Sequence, residues 1–107
     1  MLKVLIADDE EKICQLIIKL INWEEMGLKI AATASNGIEA LEQAKICKPE
    51  ILITDIRMPG IDGMELIRKV KEKLPDTEII IISGYRHFEY AQTAIRYGVR
   101  NYLLKPN

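Results

Sequence analysis

Four short stretches of this chain are almost wholly apolar: "KVLIA" (3–7), "ILIT" (51–54), "EIIIIS" (78–83) and "NYLL" (101–104). A strand with one wet face alternates apolar and polar side chains, and these runs do not. They read as strands buried on both faces, the condition of a parallel sheet covered by helices on either side. A fifth run, "LKIAATA" (28–34), is less continuous and suits a strand near the sheet edge.

Helical patterns fill the intervals. Ile13, Leu16, Ile17, Leu20 and Ile21 follow the i, i+3, i+4, i+7, i+8 spacing of one helix face, with Asp8 or Asp9 available to cap the start. Asn36 can cap a second helix carrying Ile38 and Leu41, and Asp62 with Glu65 resembles a capping box for a third presenting Leu66, Ile67 and Val70. Phe88, Ala91, Ala94 and Ile95 predict a fourth, ended by Gly98. The order β-α-β-α-β-α-β-α-β implies right-handed crossovers and helices on both faces of the sheet.

At 107 residues the chain suits one domain, spanning 1–107. Its apolar fraction of 49% and formal net charge of −1 exclude a disordered chain and a strongly basic nucleic-acid surface. No run approaches a membrane span. Cys14 and Cys47 form no CxxC pair or Cys/His cluster and no signal peptide is visible, so each reads as a small core or helix-surface residue in a cytoplasmic protein.

In an open α/β sheet, ligands bind outside the carboxyl ends of the strands. Strand one delivers Asp8 and Asp9 there, strand three Asp55, strand four Ser83 and strand five Lys105. Two carboxylates about 4 Å apart repel by about 4 kcal/mol at an effective dielectric of about 20, so such a cluster needs a cation or a raised pKa. Oxygen ligands favour Mg²⁺, and a lysine and a hydroxyl are donors that a phosphoryl group would want. The chemistry indicated is phosphoryl transfer onto an acid, with Asp55 the nucleophile. Singly, each residue also has a plain reading: Asp8 and Asp9 as helix caps, Ser83 and Gly84 as a turn, Lys105 as a solvated side chain.

As a set, "VLIADDE", "ILITDIRMPGIDGMEL", "IIIISGY" and "AIRYGVRNYLLKP" resemble the receiver domain of bacterial two-component response regulators, through nearly the whole chain. The resemblance implies a flavodoxin-like, doubly wound, five-stranded parallel sheet of order 2-1-3-4-5. It makes Asp55 the phosphoacceptor, phosphorylated by a sensor histidine kinase that docks near the first helix. Asp8 and Asp9 become the Mg²⁺-binding pair, completed by Asp55 and the backbone carbonyl of Arg57. Ser83 corresponds to the hydroxyl that moves to the aspartyl-phosphate, Gly84 keeps the phosphate accessible, and Lys105 pairs with it, the Lys105–Pro106 peptide being cis. Tyr102 matches the aromatic switch, and Arg57 and Tyr85 the positions that tune phosphoryl lifetime. His87 beside them reads as an exposed loop residue.

The chain departs from the pattern in stopping two residues after Lys105. The family continues into a fifth helix that covers one sheet face and shares in a homodimer formed on phosphorylation, so the expectation is of a final helix missing here. "INWEEMGLKIAATASNGIEAL" is also similar to receivers joined to AraC-type helix-turn-helix domains, through which DNA would be bound for transcription regulation. Enzymatic activity is expected only as self-phosphorylation and self-dephosphorylation. One rival is a phosphorylation-independent interaction module, which would have lost an acid, the hydroxyl or the lysine. A phosphatase of the haloacid dehalogenase type would need a second Asp where Arg57 stands.

Overall fold

A computed structural model describes residues 1–83 and 99–104 of the chain. The elements run β1 (Leu2–Ala7), α1 (Glu11–Leu20), β2 (Leu28–Ala34), α2 (Gly37–Cys47), β3 (Ile51–Thr54), α3 (Gly63–Lys73), β4 (Glu78–Ser83) and β5 (Val99–Leu104). All neighbouring strands pair in parallel, as the unbroken apolar runs predict, and in the order β2-β1-β3-β4-β5 that the resemblance implies. The less continuous run is the edge strand β2, and its pairing shifts by one residue between Val4 and Leu5, an irregularity common at sheet edges. The expected fourth helix lies outside the described residues.

Alternate residues of each central strand enter one of two cores. Leu5, Ala7, Leu52, Ile79 and Ile81 pack with Ala40 and Ala44 of α2 and Leu66, Ile67 and Val70 of α3. Val4, Ile6 and Ile53 point the other way, to Cys14 and Ile17 of α1, with Ile51, Ile80 and Ile82 partly buried beside them. At the amino ends of the strands, Lys3 and Glu50 clasp each other: the Lys3 N–H donates to Glu50 Oε2, and the Glu50 N–H donates to the Lys3 carbonyl.

The caps of α2 and α3 match expectation: Asn36 Oδ1 accepts the Glu39 N–H at 2.8 Å, and Asp62 Oδ1 accepts the Glu65 N–H at 2.9 Å. The Glu65 carboxylate turns forward to Arg68 instead. α1 differs. Its N-cap position is Glu10, with no side-chain cap bond, so neither Asp8 nor Asp9 caps it. Asp8 Oδ1 takes the Glu10 N–H, one step before the helix begins. The buried stripe of α1 is also rotated from the expected one. Cys14 and Ile17 are buried and Ile13, Ile18 and Ile21 flank them, while Leu16 and Leu20 stay in solvent, Leu20 at 74% exposure. Two overlapping i, i+3, i+4 stripes exist in this segment, sharing Ile13, Ile17 and Ile21, and the one containing Cys14 and Ile18 faces the sheet. Ile38 of α2 is likewise exposed and lies over Gly60, while the small Ala40 and Ala44 allow α2 close to the sheet.

Ile17→Ala should therefore cost about 2–4 kcal/mol in urea unfolding, and Leu20→Ala at most about 0.5 kcal/mol. The Lys3 N–H holds the Glu50 carboxyl below its ordinary value of 4.5. A folded-state pKa lowered in this way stabilises above the ordinary value, and that contribution is lost as pH falls through the lowered one. The difference in urea midpoint between the native chain and Glu50→Gln should be largest near neutrality and shrink on acidification.

Candidate functional site

The pairing of β1 with β3 sets Ala7 opposite Thr54, so the next residues, Asp8 and Asp55, leave the sheet side by side. Both are anchored by main-chain bonds: the Asp55 N–H donates to the Ala7 carbonyl at 2.9 Å, and the Asp8 N–H to the Ala34 carbonyl of β2 at 3.0 Å. Both are 4% exposed, whereas Asp9 and Glu10 are exposed. Carboxylate oxygens of Asp8, Asp9, Glu10 and Asp55 all lie within 4.8 Å of one another. At that range each like-charge pair is unfavourable by a few kcal/mol, about 4 at 4 Å and an effective dielectric of about 20.

The acids are held in spite of this by the backbone around them. Asp55 Oδ1 accepts the Ile56 N–H at 2.7 Å, Thr54 Oγ1 donates to the Asp55 carbonyl at 2.9 Å, and Asp8 Oδ1 accepts the Glu10 N–H at 2.9 Å. The chain then turns through Pro59 and Gly60, the latter at φ +85°, which favours glycine. Gly63 brings the start of α3 back onto the site. Its N–H donates to the Ile56 carbonyl at 2.5 Å, and a Cβ there would stand 2.0 Å from the Asp55 carbonyl oxygen. Asp9, Glu10, Asp55, Arg57, Met58 and Pro59 line the open cleft that results.

Of the residues expected from the sequence, Asp8, Asp9 and Asp55 come together as anticipated, and Arg57 is exposed on the cleft wall. Ser83 ends β4, beside β3, at the same carboxyl edge, and Tyr102 lies in β5. Tyr85, Lys105, Gly84, His87 and the Lys105–Pro106 peptide lie outside the described residues. Glu10 was not singled out in the sequence. Its signal is the third acid of "DDE", which a reading confined to strand ends passes over. Cys14 lines a neighbouring cleft with Asp8 and Asp9. Burial first, then the charges of Asp8 and Glu11, push its thiol up, so it stays protonated at neutral pH and offers no thiolate. The donor set is thus all oxygen, which suits a hard divalent cation such as Mg²⁺.

Comparison with known proteins agrees with this geometry. The family model described as "Response regulator receiver domain" matches residues 4–107. The "Uncharacterized transcriptional regulatory protein YesN" of Bacillus subtilis is 47% identical over 106 residues, which cover 99% of this chain and 29% of YesN. The transcriptional regulatory protein HptR of Staphylococcus aureus is 41% identical, over 99% of this chain and 41% of HptR. The chain therefore spans well under half the length of these relatives. Among solved structures, the REC domain of AraT, a response regulator from Geobacillus stearothermophilus, superposes with a TM-score of 0.93 at 46% identity, covering 99% of this chain and 82% of that one. The CheX–CheY–BeF₃–Mg²⁺ complex from Borrelia burgdorferi gives 0.89 at 25% identity, covering 99% and 79%.

Gly63→Ala should lower stability by about 1–3 kcal/mol in urea unfolding, because the added methyl meets strand-end backbone that cannot yield. Gly27→Ala, at φ +73° with no atom within 4 Å of the added Cβ, should cost only backbone strain of about 1 kcal/mol.

Proposed function

The chain belongs to the response regulator receiver domains, and from that premise we propose that it is the phosphoacceptor switch of a two-component system. Asp55 is the acceptor and a sensor histidine kinase the donor. The observation that carries this reading is the nearly buried Asp55 carboxylate, held within 4.8 Å of three further acids at the mouth of an open cleft. Asp8 and Asp9, with Asp55 and the Arg57 carbonyl, would hold Mg²⁺, a reading supported by the likeness to a chain solved with Mg²⁺ and BeF₃. Bound there, the ion would supply positive charge to the oxygens of the transferring phosphoryl group.

The protein's own part is positional. The Ile56 N–H on Oδ1 restrains rotation of the Asp55 carboxylate, and the other oxygen attacks phosphorus as the bond to the kinase's histidine breaks. Leu16 and Leu20, exposed on α1 near Lys12 and Lys19, suit a partner docking at this helix. Phosphorylation adds about −1.5 to −2 charges at neutral pH. By resemblance, Lys105 pairs with that charge, Ser83 moves to it and Tyr102 follows, while Arg57 and Tyr85 shield the acyl phosphate from water. A bias of a few kcal/mol between the two states is enough for a switch.

The chain's catalysis is confined to its own phosphorylation and dephosphorylation. Its output is transcriptional, through a separate DNA-binding domain of the AraC type, with homodimerisation on phosphorylation, in the cytoplasm. The transcriptional regulatory relatives support the transcriptional output. Among the described residues no helix is long and apolar enough to cross a membrane.

Intact mass after incubation with acetyl phosphate tests the acceptor role. A single Mg²⁺-dependent phosphoryl adduct that Asp55→Asn abolishes is the expected result. A folded chain that gains no adduct, or gains one with Asp55→Asn, overturns the assignment.

A further inference from the structure

Asn36 and Gly37 meet at the start of α2, and the fold calls for both. Asn36 caps the helix through Oδ1, and Gly37 is buried where a Cβ would stand 2.0 Å from the Ile61 carbonyl oxygen. The same pair is chemically reactive: with no Cβ on the following residue, a glycine backbone nitrogen can reach the side-chain Cγ of the asparagine before it. We propose that Asn36 is a self-modification site, converted to aspartate or isoaspartate through a succinimide, and that the loop of residues 55–62 gates the reaction by holding the Gly37 nitrogen.

Half of the reaction centre is activated by the fold. The Asn36 side-chain carbonyl accepts the Glu39 N–H at 2.8 Å at the amino end of α2, where the helix's partial positive charge favours the oxyanion that attack creates. The other half is withheld. The Gly37 N–H donates to the Pro59 carbonyl, and Asn36 is held extended at ψ 167°. At 3.3 Å that bond is long for an N–H···O contact, so the latch is weak. Pro59 sits on the turn made by Gly60 at φ +85°, and the loop closes at the Asp62 cap.

When the latch opens, the Gly37 nitrogen gives its proton to solvent base and forms a bond to Asn36 Cγ. The side-chain nitrogen takes a proton and leaves as ammonia. Water then opens the five-membered imide at either carbonyl, so one water is consumed and one ammonia released. Opening that restores the original main chain leaves an aspartate, which caps a helix as well as asparagine does and adds charge where the helix favours it. Opening the other way adds a methylene to the backbone directly before Gly37, where the Ile61 carbonyl leaves no room. That product displaces the loop that carries Asp55.

The test follows conversion of Asn36 by peptide mass spectrometry at mildly alkaline pH, in the native 107-residue chain, in the same chain unfolded in urea, and in Gly60→Ala and Asp62→Ala. Asn22 and Asn101, each followed by an aromatic residue, serve as internal references. Asn36 should convert ahead of both references, more slowly in the native than in the unfolded chain. It should convert about fivefold or more faster than native in whichever loop variant still unfolds cooperatively, the change that about 1 kcal/mol of loop strain produces. Equal rates in native and unfolded chains overturn the proposal, as does an unchanged rate in a folded loop variant or earlier conversion of Asn22 or Asn101. If neither variant folds, the comparison of native with unfolded chain decides it.

Discussion

The parallel register of β1 against β3 is the constraint from which the site follows. Once Ala7 is paired with Thr54, Asp8 and Asp55 have no choice but to emerge as neighbours, because each is the first residue past its strand. Their main-chain N–H groups are already committed to sheet-type bonds with Ala34 and Ala7. The apolar runs that bury both faces of the sheet thus do two things together. They supply the hydrophobic stabilisation of the domain, at roughly 25 cal/mol per Å² of apolar surface buried, and they force together charges that would separate in a looser fold. Four acids held within 4.8 Å are a local cost, of the kind functional sites carry when the surrounding structure over-determines them.

Around that sheet edge, close backbone approaches add to the side-chain packing of Ile56, Met58 and Ile61. Gly63 lets α3 start against the carbonyl of Asp55, and Gly37 lets α2 start against the carbonyl of Ile61. The loop between β3 and α3 is therefore held at its Asp55 and Gly63 ends and touched in the middle by the start of α2. Any rearrangement at Asp55 is transmitted first to this loop and to the amino ends of two helices. That mechanical link is local, and it leaves no room for a Cβ at either glycine.

Much of this was legible in the sequence. Continuous apolar runs identified the strands because burial on both faces removes alternation, and the same logic put Asp8, Asp9 and Asp55 at one edge. Asn36 and Asp62 were recognisable caps because their chemistry is local. What was not legible depended on tertiary choice. Leu16 and Leu20 satisfy helical spacing as well as Cys14 and Ile18 do, and only the orientation of α1 on the sheet decides between the stripes. Ile38 is exposed although it shares spacing with Leu41, because the small Ala40 and Ala44 face the sheet. Asp8 is chemically a helix cap, but its hydrogen bond to the Ala34 carbonyl leaves it two positions before the N-cap, Glu10. Glu10 joins the acids only through the turn that precedes α1. Gly37 and Gly63 look like ordinary helix-start glycines until the opposing carbonyls are placed.

On the function proposed, the fold compresses carboxylates to hold a divalent cation beneath an incoming phosphoryl group. The most direct measurement is the urea stability of the native chain, Asp8→Asn and Asp55→Asn, with and without Mg²⁺. Removing one of the crowded charges should raise stability in metal-free buffer. Mg²⁺ should stabilise the native chain by RT ln(1 + [Mg²⁺]/Kd) and have little effect on either variant. A native chain indifferent to Mg²⁺, with both variants less stable than it in metal-free buffer, would contradict the account.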